Sequence, residues 1–155
     1  MSDFRRKLNE VLSVDGGAKR IEGAVQAAEA TTSGEIRVMI ISRCDPEAKG
    51  DIRAQAVREF YRHGLDKTRD KTGVLLLIAL EDNAFYILGD SGINEKVSQG
   101  YWDVHSTILT TDFASGRLID GICFFVGSIG NKLSEYFPRR DDDTNELPDD
   151  VIVGG

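Results

Sequence analysis

Five carboxylates carry the chemistry this sequence could do: Glu35, Glu81, Asp82, Asp90 and Asp103. Four of them sit where a run of β-forming residues starts or stops. Glu35 opens Glu35-Ile36-Arg37-Val38-Met39-Ile40-Ile41, Glu81 and Asp82 close Gly73–Leu80, and Asp90 closes Ala84–Leu88. Asp103 and Asp120 lie on later helical segments that could face either rim of a sheet. Carboxylates gathered without basic partners repel one another, and a hard cation removes that cost. Ca²⁺ takes six to eight oxygen ligands, whereas Mg²⁺ keeps several waters. The Gly89-Asp90-Ser91-Gly92 turn suits such an ion, because glycines let the backbone bend and expose carbonyls while Asp90 supplies charge. The plainer reading is that Asp90 caps the short helix beginning near Ile93. Ligands of open α/β sheets bind outside the carboxyl ends of parallel strands. A hairpin complicates that rule here, since antiparallel neighbours end at opposite edges and would set Glu81-Asp82 and Asp90 a strand length apart.

The elements that must position these groups follow from periodicity. Residues 1–14 suit a short amphipathic helix (Phe4, Leu8, Val11, Leu12), broken by Asp15-Gly16-Gly17. A second helix spans 18–31, with Ile21, Val25 and Ala28 on one side. A strand over 35–41 precedes a helix over 51–65 with Ile52, Ala56, Phe60 and Tyr61 as its stripe. Gly73–Leu80 is a continuous apolar run, the mark of a central strand covered on both faces. Glu81-Asp82-Asn83 then turns the chain into the second arm of a hairpin at 84–88. Helices over 100–114 and 116–137 follow, the latter with Leu118, Ile122, Phe125, Ile129, Leu133 and Tyr136 at spacings of three and four. Gly127 and Gly130 within it point to close packing on a neighbour. The expected fold is a three-layer α/β/α sandwich, a small twisted mixed sheet of three to four strands with helices on both faces. Three segments are expected: a helical extension over 1–17, the domain proper over 18–138, and an acidic tail over 139–155.

Charge narrows the functions. The chain has 155 residues and a net charge of −7. Residues 1–80 hold 12 acidic and 14 basic side chains, and residues 81–155 hold 14 acidic and 5 basic, so the second half carries −9. Such a half repels phosphate backbones and argues against nucleic-acid binding. Part of the excess is the run Asp141-Asp142-Asp143, which reads as a solubilising tail. No apolar run approaches the roughly 20 residues of a membrane span, and no secretory signal is visible, so a cytoplasmic monomer is expected. Cys44 and Cys123 are unpatterned and read as reduced thiols. With two histidines, His63 and His105, a His-rich metal site is nearly excluded, and both read as surface or packing residues. Nucleotide-binding glycine loops, nucleophile elbows and zinc motifs are missing.

Four stretches resemble the TPM domain family, which takes in a thylakoid-lumen acid phosphatase, photosystem II repair proteins and soluble bacterial relatives. They are Thr32-Ser33-Gly34-Glu35-Ile36-Arg37-Val38; Gly73–Ile78; Phe85-Tyr86-Ile87-Leu88-Gly89-Asp90-Ser91-Gly92-Ile93; and Phe113-Ala114-Ser115-Gly116 with Gly121-Ile122 and Tyr136-Phe137-Pro138. Together they span about 18–138. The resemblance implies the same sandwich, divalent-cation binding at acidic loops, and acid-phosphatase activity in some members. Glu35, Glu81, Asp82 and Asp90 match acidic positions at the family's strand ends. A departure from membrane-attached members is expected, with neither a signal peptide nor a C-terminal membrane helix, and Asn94 stands where the resemblance implies that many have glutamate. Two functions are thus expected. The first is a Ca²⁺- or Mg²⁺-binding module that docks a protein partner or senses the ion. The second is a metal-assisted acid phosphatase acting on a small phosphoester, with Asp90 as base or nucleophile. Arg37 and Lys96, the nearest candidates for a cationic clamp, read as surface charges.

Overall fold

A computed structural model describes residues 3–12, 16–139 and 152–154. In chain order the elements are α1 (Asp3–Leu12), α2 (Gly17–Glu29), β1 (Glu35–Ile41), α3 (Ile52–Arg62), β2 (Gly73–Ala79), β3 (Ala84–Gly89), α4 (Ser91–Asn94), α5 (Gln99–Ala114), α6 (Leu118–Tyr136) and β4 (Ile152–Gly154). The sheet order is β3-β2-β1-β4. β1 runs parallel to β2 from Glu35↔Gly73 to Ile41↔Ala79, and β3 returns antiparallel to β2 from Val74↔Gly89 to Ala79↔Ala84.

Alternation along the strands divides the core. Ile36, Val38 and Ile40 of β1 and Val74, Leu76 and Ile78 of β2 point to the side of α2, α5 and α6. Met39 and Ile41 with Leu75, Leu77 and Ala79 point to the other, where Ala56 and Phe60 of α3 meet Leu65. Both faces are therefore apolar, which is why β2 reads as an unbroken hydrophobic run. The three-layer α/β/α sandwich with a mixed sheet is the architecture observed.

Segments outside 18–138 also join the fold. α1 packs on α2 and α6, with Val11 fully buried. Residues 152–154 add the parallel strand β4 beside Met39–Ile41, so the end of the acidic stretch joins the sheet. The run Asp141-Asp142-Asp143 and the pair Leu147-Pro148 lie outside the described residues. Thr32 bridges Pro138, and the Ser33 N–H donates to the Phe137 carbonyl at 3.0 Å, stitching the end of α6 to the start of β1.

The two glycines of α6 part company. A Cβ on Gly130 would stand 2.5 Å from the Cβ of Ala28, so the α2–α6 contact needs its absence. A Cβ on Gly127 would meet nothing within 4 Å, which corrects the expectation of close packing there. Among the described residues no helix is long and apolar enough to cross a membrane. Cys44 and Cys123 are both free thiols.

Candidate functional site

The hairpin separates the candidate carboxylates as antiparallel pairing requires. Glu35 stands at the amino end of β1 opposite Gly73, and the Asp90 N–H donates to the Gly73 carbonyl at 2.9 Å. Glu35, Gly73 and Asp90 therefore share one rim. Glu81 and Asp82 follow the carboxyl end of β2 at the other rim, about 20 Å away for seven strand residues. Asp103 sits on an exposed part of α5, accepting from Gln99 Nε2 at 3.1 Å. Among the described residues no three or more Asp, Glu, His or Cys side chains form a group arranged to hold an ion.

The Asp90 rim is tightly built. Asp90 caps α4, its Oδ1 accepting from the Ser91 N–H at 2.7 Å. Its Oδ2 is buried and has no hydrogen-bond partner. The 65–72 segment lies against this turn. The Gly92 N–H donates to the Lys71 carbonyl at 2.8 Å, and a Cβ at Gly92 would fall 2.1 Å from the Asp70 carbonyl oxygen. Lys71 adopts the left-handed region (φ 57°), and its Nζ donates to the Asp66 carbonyl at 2.7 Å. Asp66 Oδ1 is, like Asp90 Oδ2, buried without a hydrogen-bond partner. Glu35 is 4% exposed.

Asn94 completes the turn in a way its residue type explains. Its Nδ2 donates to the Gly89 carbonyl at 2.7 Å, while its Oδ1 accepts from Trp102 Nε1 at 2.9 Å. An amide can do both, whereas an ionised carboxylate can only accept. Asn94 thus couples the Asp90 turn to α5 by a neutral clamp. Gly89 is held close, since a Cβ there would meet Trp102 Cζ2 at 2.9 Å.

At the opposite rim Asp82 is structural. Its Oδ2 accepts from the Cys44 N–H at 3.0 Å and ties the β2–β3 turn to the end of β1. Burial, then the nearby Asp82 charge, pushes the Cys44 thiol up from its ordinary value, which keeps it a thiol rather than a nucleophilic thiolate. Glu81 is exposed, its N–H donating to the Ser42 carbonyl at 2.7 Å.

Several polar residues were hidden inside apolar stripes. Arg37 is 5% exposed on the α3 side of β1, so it is an interior residue and not the surface charge expected. Glu29, at the end of α2, accepts from the Ile36 N–H at 2.7 Å through Oε2 and fixes the entry to β1. Glu59 of α3 is 1% exposed, accepting from Gln55 Nε2 and Arg62 at 3.0 Å, with His63 Nε2 at 3.2 Å from its Oε2. Gln55 Oε1 accepts from the Asp45 N–H at 2.9 Å, so this network anchors the β1–α3 connection. The signal for it was available: Gln55 and Glu59 are four apart, each beside a buried position of the α3 stripe. His105 is a packing residue, ringed by Tyr101, Phe124 and Phe125. Burial pushes its imidazole down from the ordinary value.

An α/β/α sandwich with an acidic glycine-rich turn at one rim defines the class of domain. The chain belongs to the TPM domain family, whose profile matches residues 7–132. It is similar to a protein of known structure, BA42 from the psychrophilic bacterium Bizionia argentinensis sp. nov., determined by NMR. The two are 34% identical over 96% of this chain and 99% of that one, with a TM-score of 0.83. No curated protein matches the chain.

Proposed function

We propose that the chain is a divalent-cation-binding module and that the Asp90 rim receives the ion. The observation that carries this is the buried, partnerless Asp90 Oδ2 in a turn braced by Gly73, Gly92 and Asn94. A buried carboxylate oxygen without a hydrogen bond costs free energy that a cation would return. Asp66 Oδ1, buried in the adjoining segment, has the same character. One or two carboxylates with waters suit Mg²⁺ better than the six to eight oxygen ligands Ca²⁺ collects. The donor fits a hydrated ion held by Asp90 through one carboxylate, with waters filling the other positions. Glu35 shares the rim, whereas Glu81 and Asp82 stand at the opposite one, and Asp103 is exposed on α5 with Gln99 as its partner. Bound there, the ion would supply positive charge for docking an acidic group of a protein partner.

The phosphatase reading asks for more. Phosphoryl transfer needs cationic groups around the transferring oxygens. Of the two candidates, Arg37 is interior and Lys96 is exposed two residues past Asn94. An ion at Asp90 would have to supply that charge itself.

The test is thermal melting in EDTA and in 10 mM Mg²⁺ or Ca²⁺ at matched ionic strength, with Asp90→Asn beside it. A rise with the ion that Asp90→Asn abolishes supports the proposal. No rise with either ion ends it. Hydrolysis of an aryl phosphate, present in the parent and lost in Asp90→Asn, would add the enzymatic role.

A further inference from the structure

α5 and α6 form a helical hairpin with a groove of about 420 Å³ along its solvent side. Tyr101, Ile108, Phe124 and Lys132 wall it, and His105 floors it, with its Nδ1 buried and without a hydrogen-bond partner. Val104 and Phe124 stand 58% and 54% exposed beside it. The helix segments that meet here are free of charge. Although 29% of the chain is charged, neither 104–111 nor 121–131 contains an Asp, Glu, Lys or Arg. The exposed threonines of α5 add little polarity, because the Thr107 and Thr111 hydroxyls donate back to the Asp103 and Thr107 carbonyls at 3.1 Å. Contiguous apolar surface of this kind marks a contact site.

Charge and spacing together say what covers it. A chain of net charge −7 repels copies of itself, and a face free of charge is where that repulsion is least. Lys132, the cation of the groove, is balanced by Glu135 at 3.4 Å, so the groove offers no excess positive charge to an anionic membrane. The face is also its own complement. On α6, Phe124 comes four residues before Ser128 and Lys132 four residues after it, with the Lys132 Nζ 5.7 Å from the centre of the Tyr101 ring. A twofold axis at Ser128 exchanges those positions, so that each Phe124 enters the Tyr101–Lys132 end of the other copy's groove. There the ring meets apolar wall and a cation that favours an aromatic face.

We infer that this chain forms a twofold dimer in which α6 crosses α6 of the second copy at Ser128, with Phe124 the anchor of each side. One groove a side is small for a specific interface, so the dimer is a reversible one with a Kd of about 10–100 µM.

The test is sedimentation equilibrium of the full chain in EDTA, which keeps the result separate from any ion at Asp90. The expected result is a mass that rises from one chain toward two over about 5–500 µM. Phe124→Lys sets a lysine against Lys132 of the other copy and should raise Kd about tenfold or more. Circular dichroism and Tm should stay near the parent, because the side chain replaced is half exposed. Adding Lys132→Glu to that variant should recover at least about threefold of the loss. Positions 124 and 132 are eight residues apart on one helix, about 12 Å, so such a rescue acts between copies. The inference is overturned by a monomer at every concentration, by a dimer that Phe124→Lys leaves intact, or by a Phe124→Lys chain that Lys132→Glu fails to restore. A chain that stays monomeric yet binds zwitterionic vesicles through Phe124 overturns it as well, and gives the face to a membrane.

Discussion

Replacing Asp90 with Asn and with Ala separates its two duties. The Ala variant loses the cap on α4, a 2.7 Å hydrogen bond to the Ser91 N–H. A lost cap costs about 1 kcal/mol, roughly 2–4 °C in Tm for a domain of this size. The Asn variant keeps an acceptor for Ser91 and exchanges the partnerless Oδ2 charge for an amide. In EDTA it should therefore melt closer to the parent than Ala does. Ten times the dissociation constant of Mg²⁺ stabilises the parent by about 1.4 kcal/mol, a rise of roughly 3–6 °C. Neither variant should show that rise. Asp82→Asn, at the far rim and still able to accept from Cys44, should show it in full. Differential scanning calorimetry at matched ionic strength reads all four proteins. A full ion response in Asp90→Asn would refute the reasoning, because the rise would then come from another site or from general screening.

The glycines of α6 give a paired prediction by chemical denaturation. Gly127→Ala should stabilise by about 0.5–1 kcal/mol, since its Cβ meets nothing. Gly130→Ala should destabilise by about 1–3 kcal/mol, because α2 must move away. Gly92→Ala should cost at least as much as Gly130→Ala, its Cβ colliding with the backbone carbonyls of Asp70 and Lys71, and it should also blunt any ion response. His105 predicts an acid limb. Its folded value is lowered by burial, so the unfolded chain takes up the proton first. The stability it contributes is whole above about pH 6.5 and falls as pH drops toward the folded value. Lys132 and Glu135 of α6 line the α5–α6 groove that His105 also lines. His105→Leu should flatten the dependence of Tm on pH between 7 and 5, and an unchanged slope would refute the assignment.

How much of this was legible in the sequence varied with the physics behind each feature. β1 and β2 were plain, because strands buried on both faces leave unbroken apolar runs. The break between hairpin arms was plain from Glu81-Asp82-Asn83, and Asn83 indeed takes a positive φ of 49°. β4 was not legible, since three residues after an acidic run carry no period of their own and gain their strand only from the open edge of β1. The carboxylates were found by type, but type does not say which rim they reach. That depends on strand direction, and it splits Glu35 and Asp90 from Glu81 and Asp82. Arg37 was misread as a surface charge by its type, although alternation along β1 puts it on the α3 side and helices were expected on both faces.

Asn94 wires the Asp90 turn to α5 in a way that only an amide allows. A glutamate there would add charge to the Asp90 turn, yet it could not donate to the Gly89 carbonyl. The amide gives up the charge and gains a link from β3 through Trp102 to α5. Asn94→Glu should therefore do two opposite things. It should lower stability in EDTA by about 1–3 kcal/mol, and Tm with it, since the Gly89 carbonyl loses its side-chain donor and a further negative charge arrives beside Asp90. It should also enlarge the rise produced by Mg²⁺, if that charge completes the ion's surroundings. Trp102 emission reports the broken clamp, and calorimetry reports the ion. A variant that melts low and gains no response would make Asn94 a purely structural residue and would leave Asp90 to hold its ion without help from α4.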